Sequence, residues 1–517
     1  MKRISLATDS SLIQPTDPAS ANGYIKWARL WIIVALCIAA TNATLFTYSA
    51  TTPLVANDSW YFLDTFVREY FNYTLDFKDF FVKREGSDHA QPINKLVLLF
   101  HLKYFGLDFT VEALIGLVFA LIGCLLAIRV AWTGRLQSDR TNWLTMLGFA
   151  ACTAAIPLLI FSLNSPGVFT WSLVTLAYIL VGSAIGYFGI GALTLVGRYR
   201  AWPMFPASFL LAVVLDDLAL VLTIAFAFIC LLYAALTCSW KRSATIALVA
   251  IAGTMFYDLI VQPLLTPDIA ATTTISSRTV GFFAENWMTA WKAVWLPATS
   301  MFVHPMHLEH AESTLRLLSV ALPALCILLH VLFWARMPRK FRGRRPGEIV
   351  CAGLLLGFYG ATTALVLTRV PTFGFDYLIQ PRYYVFYLLG SLPIMISGAI
   401  AWRERNLPAP FEKLYLAATF MLAIGVTAAQ WPLSVSSWDQ YKYISEYTQR
   451  AAFQMGQLRD TPETTTACAD ILYACQYDFE SKKRLIGLLT QHNLNVFNRS
   501  FQLRHRLYPD QASIPQP

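Results

Sequence analysis

The chain alternates long apolar runs with short polar breaks, and the runs have the length of a bilayer crossing, with no polar stripe of the kind a water-facing helix carries. The first run, "WARLWIIVALCIAATNATLFTYSA" (Trp27 to Ala50), follows a polar head. Tyr48 stands where a secretory cleavage site needs a small residue, so the run reads as a retained anchor. Continued along the chain, the pattern predicts an all-α polytopic membrane protein with about eleven spans, each near the ~20 residues a bilayer core requires. It divides into a polar head over 1–26, a transmembrane domain over 27–430 with outer loops near 49–95 and 263–315, and a polar C-terminal region over 431–517. Two segments fit poorly: "AWPMFPASFLLAVVL" (Ala201 to Leu215) is short for a crossing, and "INKLVLLFHLKYFG", ahead of the run from Ala113, reads as an interfacial helix.

Charge orients the pattern. Only 14% of the 517 residues are charged, and the excess of Lys and Arg gives a net +9. Those cations sit beside apolar runs and not on a polar domain, which speaks against nucleic acid as a partner and for a lipid bilayer. Lys2, Arg3, Lys26 and Arg29 open the series; Arg129, Arg135 and Arg140, then Arg198 and Arg200, then Lys241 and Arg242 continue it. The run "RMPRKFRGRRP" (Arg336 to Pro346) is the densest, and Arg403, Arg405 and Lys413 close it. Because short cytoplasmic loops carry the Lys/Arg excess, these breaks are expected inside, with the N-terminus, and the loops between them outside, with the C-terminus. Of nine cysteines, Cys468 and Cys475 lie in the polar tail. An external tail is oxidising territory, and a disulfide between them is predicted.

The outer loops hold the chemistry. "NDSWYFLDTFVREYFNYTLDFKDFFVKREGSDHAQPINK" (Asn57 to Lys95) crowds carboxylates, aromatics and an Asp-His pair into the first loop. Its rings recur at spacings that let a helix lie flat on the membrane with aromatics at headgroup depth. Asp58 follows the first span closely, which places it against the bundle; there a carboxylate is partly desolvated and more basic. Arg382, in "DYLIQPRYYVFYLLG", opens an outside-to-inside span beside Tyr383, at the depth of a lipid phosphate. Arg is suited to that ligand because its planar fork grips phosphate oxygens in pairs. Arg278, in "TISSRTVGFF", is a second such candidate. Asp216 and Asp217 interrupt an apolar run; carboxylates there are costly and usually functional, so they either cap an outer hairpin near the same cavity or act as proton sites within a span. His304, His307 and His310 in "HPMHLEH" have the spacing of metal ligands on a helix, but Pro305 argues against a regular helix, and no metal ligand set is assigned.

A carboxylate just after the first span followed by "WYFL", then an acidic-His pair leading into an apolar helix ("SDHAQPINKLVLLFHLKYFG"), resembles the bacterial GT-C glycosyltransferases, polytopic enzymes that take sugar from a polyprenyl-phosphate carrier. Many relatives read Asp-Asp-Trp and Glu-His-Arg at the two places. This chain reads Asn57-Asp58-Ser59-Trp60 and Asp88-His89-Ala90, so the second acid is shortened and the Arg is missing. The tail "LLTQHNLNVFNRS" also resembles the close of such chains. The resemblance implies a GT-C-like bundle that transfers sugar from a polyprenyl-phosphate-linked donor to an envelope glycan, lipid or protein acceptor at the outer face of the bacterial inner membrane. It implies Asp58, Asp88 and His89 as catalytic residues, with Trp60, Arg278, Arg382, Tyr383, Asp216 and Asp217 at the substrates. It fixes no cofactor and allows a divalent cation, which some members have and others lack. The competing expectation is a proton-coupled lipid or solute transporter that uses Asp216 and Asp217.

Overall fold

The computed structural model describes residues 18–56, 58–82, 92–133, 143–265, 277–309, 313–404, 410–460 and 473–508. Ten helices among them are long and apolar enough to cross a bilayer: Gly23–Ala50, Phe109–Ala131, Trp143–Ile160, Ser172–Leu195, Asp217–Thr237, Trp240–Leu265, Ser313–Arg342, Pro346–Phe373, Pro381–Glu404 and Pro410–Asp460. The shorter apolar helix Met204–Leu215 makes an eleventh. No strand occurs among the described residues. The chain is an all-α, multi-pass membrane protein. That outcome is physically forced, since inside hydrocarbon a helix satisfies every backbone N–H and C=O within its own segment.

Successive spans must alternate in direction, so the connections fall into two sets at opposite ends of the bundle. One end carries the Lys/Arg clusters, and there Arg29 and Arg403 both lie over the ring of Trp132, at 5.3 and 4.9 Å. The other end carries the first loop and the tail. These are called the basic end and the cap end below. The span Pro381–Glu404 is the centre of the bundle, 94% buried over its most apolar stretch, against 28% for the peripheral first span.

Packing between spans relies on small residues, as expected where lipid and side chain are equally apolar and close backbone approach supplies the attraction. A Cβ on Gly253 would stand 2.4 Å from the Phe205 carbonyl, so this glycine is what lets helix 240–256 close on helix 204–215. A Cβ on Gly116 would meet the Thr175 carbonyl carbon at 2.5 Å, and it fixes helix 109–131 against 172–176 in the same way.

The cap departs from the expectation of a flat interfacial helix. The first loop breaks into Ser59–Phe62, a π-helical turn Leu63–Val67 and Arg68–Phe71, and it buries Trp60, Leu63, Phe66 and Val67 in a core of their own. The other half of that core comes from the far end of the chain. Helix Pro410–Asp460 has 51 residues, about 76 Å of rise, which is more than twice the ~30 Å hydrocarbon thickness. It runs unbroken through Trp431, so the division at 430/431 falls inside one helix, and its distal part adds Ala451, Ala452, Met455 and Leu458 to the core. Helix Phe479–Gln491 adds Leu485, Ile486 and Leu489.

Polar staples fix the two halves. Arg484 donates both Nε and Nη2 to the Asp64 carboxylate at 2.8 Å, a bidentate pair joining residues 420 positions apart. Phe71 stacks on His492 at 3.7 Å. Asn495, buried and at φ 52°, donates through Nδ2 to the carbonyls of Pro53 (2.9 Å) and Leu107 (2.7 Å), while its backbone N–H reaches the Gly106 carbonyl at 2.8 Å. Asn is one of the few non-glycine residues that enters this left-handed region at modest cost. The tail motif "LNVF" is therefore a clamp on the first loop. Cys475 is disulfide-bonded and the other described cysteines are free; Cys468 lies outside the described residues.

Candidate active site

At the cap end the sequence-predicted residues fall into three neighbouring groups. Asp58 opens the first, half-buried at the N-cap position of Ser59–Phe62, with its side chain making no cap bond to that helix. Trp60, two positions on, is wholly buried, and its indole Nε1 has no hydrogen-bond partner among the described residues. Trp60 thus anchors the Asp58 turn in the cap core and does not present a face to a ligand. Asp88 and His89 lie outside the described residues.

Beneath the Asp58 turn lies a polar cluster that the sequence reading passed over. A cavity of about 10 Å³, room for roughly one water, is lined by Ser59, Asn94 and Glu112 together with Phe62, Leu98, Phe109 and Leu173. Glu112 is buried, and its carboxylate meets His101 Nε2 at 2.9 Å and accepts from Ser172 Oγ at 3.1 Å. The opposite ring nitrogen of His101 is buried with no partner among the described residues. The signal was available in "FTVEALIGL": a carboxylate at the mouth of an apolar run has the same standing as Asp216.

The second group forms around Asp216 and Asp217. Helix 204–215 stops at Asp216, whose φ of 52° and ψ of −133° reverse the chain directly into Asp217–Thr237. The pair caps a hairpin at the cap end, which is the first of the two expected placements. The first loop comes down onto it. Lys95, on helix Pro92–Phe105, donates its ammonium to the carbonyls of Asp79 (2.8 Å), Phe80 (3.3 Å) and Val82 (2.7 Å), within electrostatic reach of the Asp79 and Asp216 carboxylates. Burial pulls the Lys95 pKa down to about 8, and the two carboxylates only partly offset that. Asp216, Asp258 and Asp217 all act electrostatically on the buried Tyr257 hydroxyl, and Phe81 of the first loop packs 6.5 Å from the Tyr257 ring. So the carboxylates at 216 and 217 belong to a charged seam between hairpin and loop.

Arg382 centres the third group. Pro381–Tyr383 is a single 3-10 turn ahead of helix Tyr384–Glu404. The turn is seated by Gly167, where a Cβ would lie 2.7 Å from the Pro381 ring. The half-buried Arg382 guanidinium lies 5.3 Å from the ring centres of both Tyr377 and Tyr383 and donates to the Tyr377 hydroxyl, while its Nε is buried with no partner. Among the described residues no carboxylate pairs with it. Arg369 was not singled out in the sequence, but it lies exposed within electrostatic reach of the Tyr383 hydroxyl, so a second positive charge acts on this aromatic group. Arg278 stands on helix Ser277–Glu285, and its side chain lies outside the described residues; that helix is drawn to the Arg382 segment by Phe282 and Phe283, 5.9 and 6.4 Å from Phe375.

The histidines of "HPMHLEH" have structural duties. His304 donates Nε2–H to the Ile379 carbonyl and accepts the Met306 N–H on Nδ1 (3.2 Å). His307 donates Nε2–H to the Asn164 carbonyl (2.8 Å) and its Nδ1 meets Ser436 Oγ (2.9 Å). Both nitrogens of each ring are thus engaged, and burial lowers both pKa values, His307 to about 4. His310 lies outside the described residues. Among the described residues no group of three His, Cys, Asp or Glu side chains is placed to hold a metal ion.

The first and third groups are linked through the segment 165–175. Leu173 shares the cavity wall with Ser59, and Ser165 Oγ donates to the Pro381 carbonyl at 3.4 Å. The arrangement offers a half-buried carboxylate on one side of that segment and, on the other, a guanidinium on aromatic rings that no described carboxylate neutralises. No protein-family model, curated protein or solved structure matches this chain.

Proposed function

We propose that this protein is an integral membrane glycosyltransferase that moves sugar from a polyprenyl-phosphate carrier to an envelope acceptor, with the cap end facing outward from a bacterial inner membrane. The observation that carries this reading is Arg382: a half-buried cation at the lipid-water boundary, held by phenol groups and by no described carboxylate, fits an anion that arrives from the membrane. Arg369 supplies a second positive charge for the developing phosphate. Asp58 takes the proton from the acceptor hydroxyl, and the His101–Glu112–Ser172 cluster under Ser59 keeps its turn rigid. The orientation rests on the Lys/Arg excess at the basic end.

The transporter alternative asks Asp216 and Asp217 to take up and release protons in the middle of a span. Their place in a hairpin turn, beside the Lys95 ammonium, favours a fixed structural charge pair instead. The deciding experiment is transfer from a polyprenyl-phosphate sugar in reconstituted membranes. Asp58→Asn abolishes turnover while the protein still folds and binds carrier; near-normal turnover by that variant removes the assignment. Uptake that collapses with a protonophore would favour the transporter.

A further inference from the structure

The basic end contains a recess that the proposed reaction does not use. Helix 204–215 is nine residues shorter than its hairpin partner 217–237, which leaves about 14 Å of bundle depth unfilled at the basic end. The loop 196–203 folds into this space and forms a cleft of about 510 Å³ lined by Gly197, Arg198, Tyr199, Arg200, Arg242 and Thr245 among others.

The cleft is positively charged and arranged in advance. Arg242 donates Nη2 to the carbonyls of Thr194 (2.8 Å) and Tyr199 (3.1 Å), so its guanidinium is fixed. Gly197, at φ +95°, makes room for it: a Cβ there would stand 3.1 Å from Arg242 Nη1. Arg344 adds its charge from outside the lining, sharing with Arg242 an electrostatic reach to the Tyr233 hydroxyl. None of Arg198, Arg200, Arg242 and Arg344 is paired with a carboxylate among the described residues. This differs from the neighbouring Lys340 and Arg345, which meet Glu404. Tyr199 in the lining, Trp202 just after it in the chain and Trp240 at the start of the Arg242 helix are all exposed, and aromatic rings of this kind mark the headgroup level of a bilayer.

We propose that this cleft is a binding site for a phosphate-bearing anion, supplied as the headgroup of an anionic phospholipid in the leaflet at the basic end. Several guanidiniums with no counter-charge among the described residues match phosphate oxygens, and a recess between spans admits a headgroup from the side. The site is independent of the donor-carrier site at the cap end.

The test compares thermal unfolding of the full chain in detergent doped with phosphatidylglycerol or with phosphatidylcholine, alongside native mass spectrometry of retained lipid. Phosphatidylglycerol should raise the unfolding midpoint above that in phosphatidylcholine. R198Q/R200Q, which alters two exposed side chains, should weaken apparent lipid affinity on the order of tenfold without moving the midpoint in phosphatidylcholine. Equal midpoints in the two lipids, or an undiminished phosphatidylglycerol effect in the double variant, would overturn the proposal. Inorganic phosphate is the third arm: if it alone reproduces the rise and lipid adds nothing, the lipid assignment falls.

Discussion

Two arginines, one at each end of the bundle, show how the same side chain is put to different uses. Arg336, at the basic end, is 2% exposed. Its Nε donates to Glu412 at 2.9 Å, its Nη1 to Ser397 Oγ at 3.4 Å, its Nη2 lies 3.8 Å from Glu348, and its plane sits 3.7 Å over the Tyr415 ring. The Ser397 hydroxyl in turn donates to Glu348 at 2.6 Å, which closes the network. Arg382, at the cap end, also rests on tyrosines, but no described carboxylate joins it and its Nε is unpartnered. A buried charge with its counter-charges in the same chain is a structural element. A half-buried charge whose described contacts are dipoles and π-faces, with a second cation nearby and no described carboxylate paired with it, has capacity left for an anion from outside.

Substitutions should separate these roles. Arg336→Ala strands Glu348 and Glu412 in the bundle, and breaking such a buried pair costs ~3–5 kcal/mol. The expected result is a large fall in unfolding midpoint and yield, with normal activity per folded molecule; a stable but inactive variant would erase the distinction between the two ends. Arg382→Ala should do the reverse. A charge-assisted phosphate contact contributes ~1.5–3 kcal/mol, so carrier binding weakens roughly 10- to 150-fold while thermal stability hardly moves. Arg382→Lys recovers part of the binding, because the charge stays and the planar fork is lost.

Asn495→Ala tests whether the cap is needed to hold the Asp58 turn. It orphans the Leu107 carbonyl and leaves the Pro53 carbonyl with the Phe109 N–H alone (3.3 Å), at about 1–3 kcal/mol. The expected loss is confined to the cap, seen as faster amide exchange in 59–71 and 479–491 with the spans unaffected; uniform destabilisation would show that cap and bundle unfold together.

The smallest effect is one of pH. His307 has a folded-state pKa of about 4, against an ordinary 6.5, so below pH 6.5 the unfolded chain binds protons that the folded chain refuses. Stability contributed by the neutral ring is complete above pH 6.5 and falls as the pH drops toward 4, by on the order of 1 kcal/mol at pH 5.5. His304 shifts in the same direction. Unfolding midpoints across pH 4.5–7.5 should show this slope, and His307→Gln should flatten it.

The sequence by itself determined the membrane frame. Apolar runs of spanning length leave the backbone no alternative to helix in lipid, and the alternation of spans then sorts the Lys/Arg clusters to one end and the first loop and tail to the other. It also marked Asp58, Asp216 and Arg382 as charges out of place, because a charge beside an apolar run is costly enough to stand out in one dimension. Only the tertiary structure decided what each charge does. Arg336 and Arg382 look alike in sequence, and whether a guanidinium is neutralised depends on carboxylates of other helices, here Glu348 at 12 positions and Glu412 at 76. Trp60 reads as an interfacial ring and is a core anchor because a tail more than 400 residues downstream covers it, with the Asp64–Arg484 pair holding the two together. Partners at such separations leave no periodic trace in the chain, since cap packing is set by which surfaces the membrane frame brings face to face.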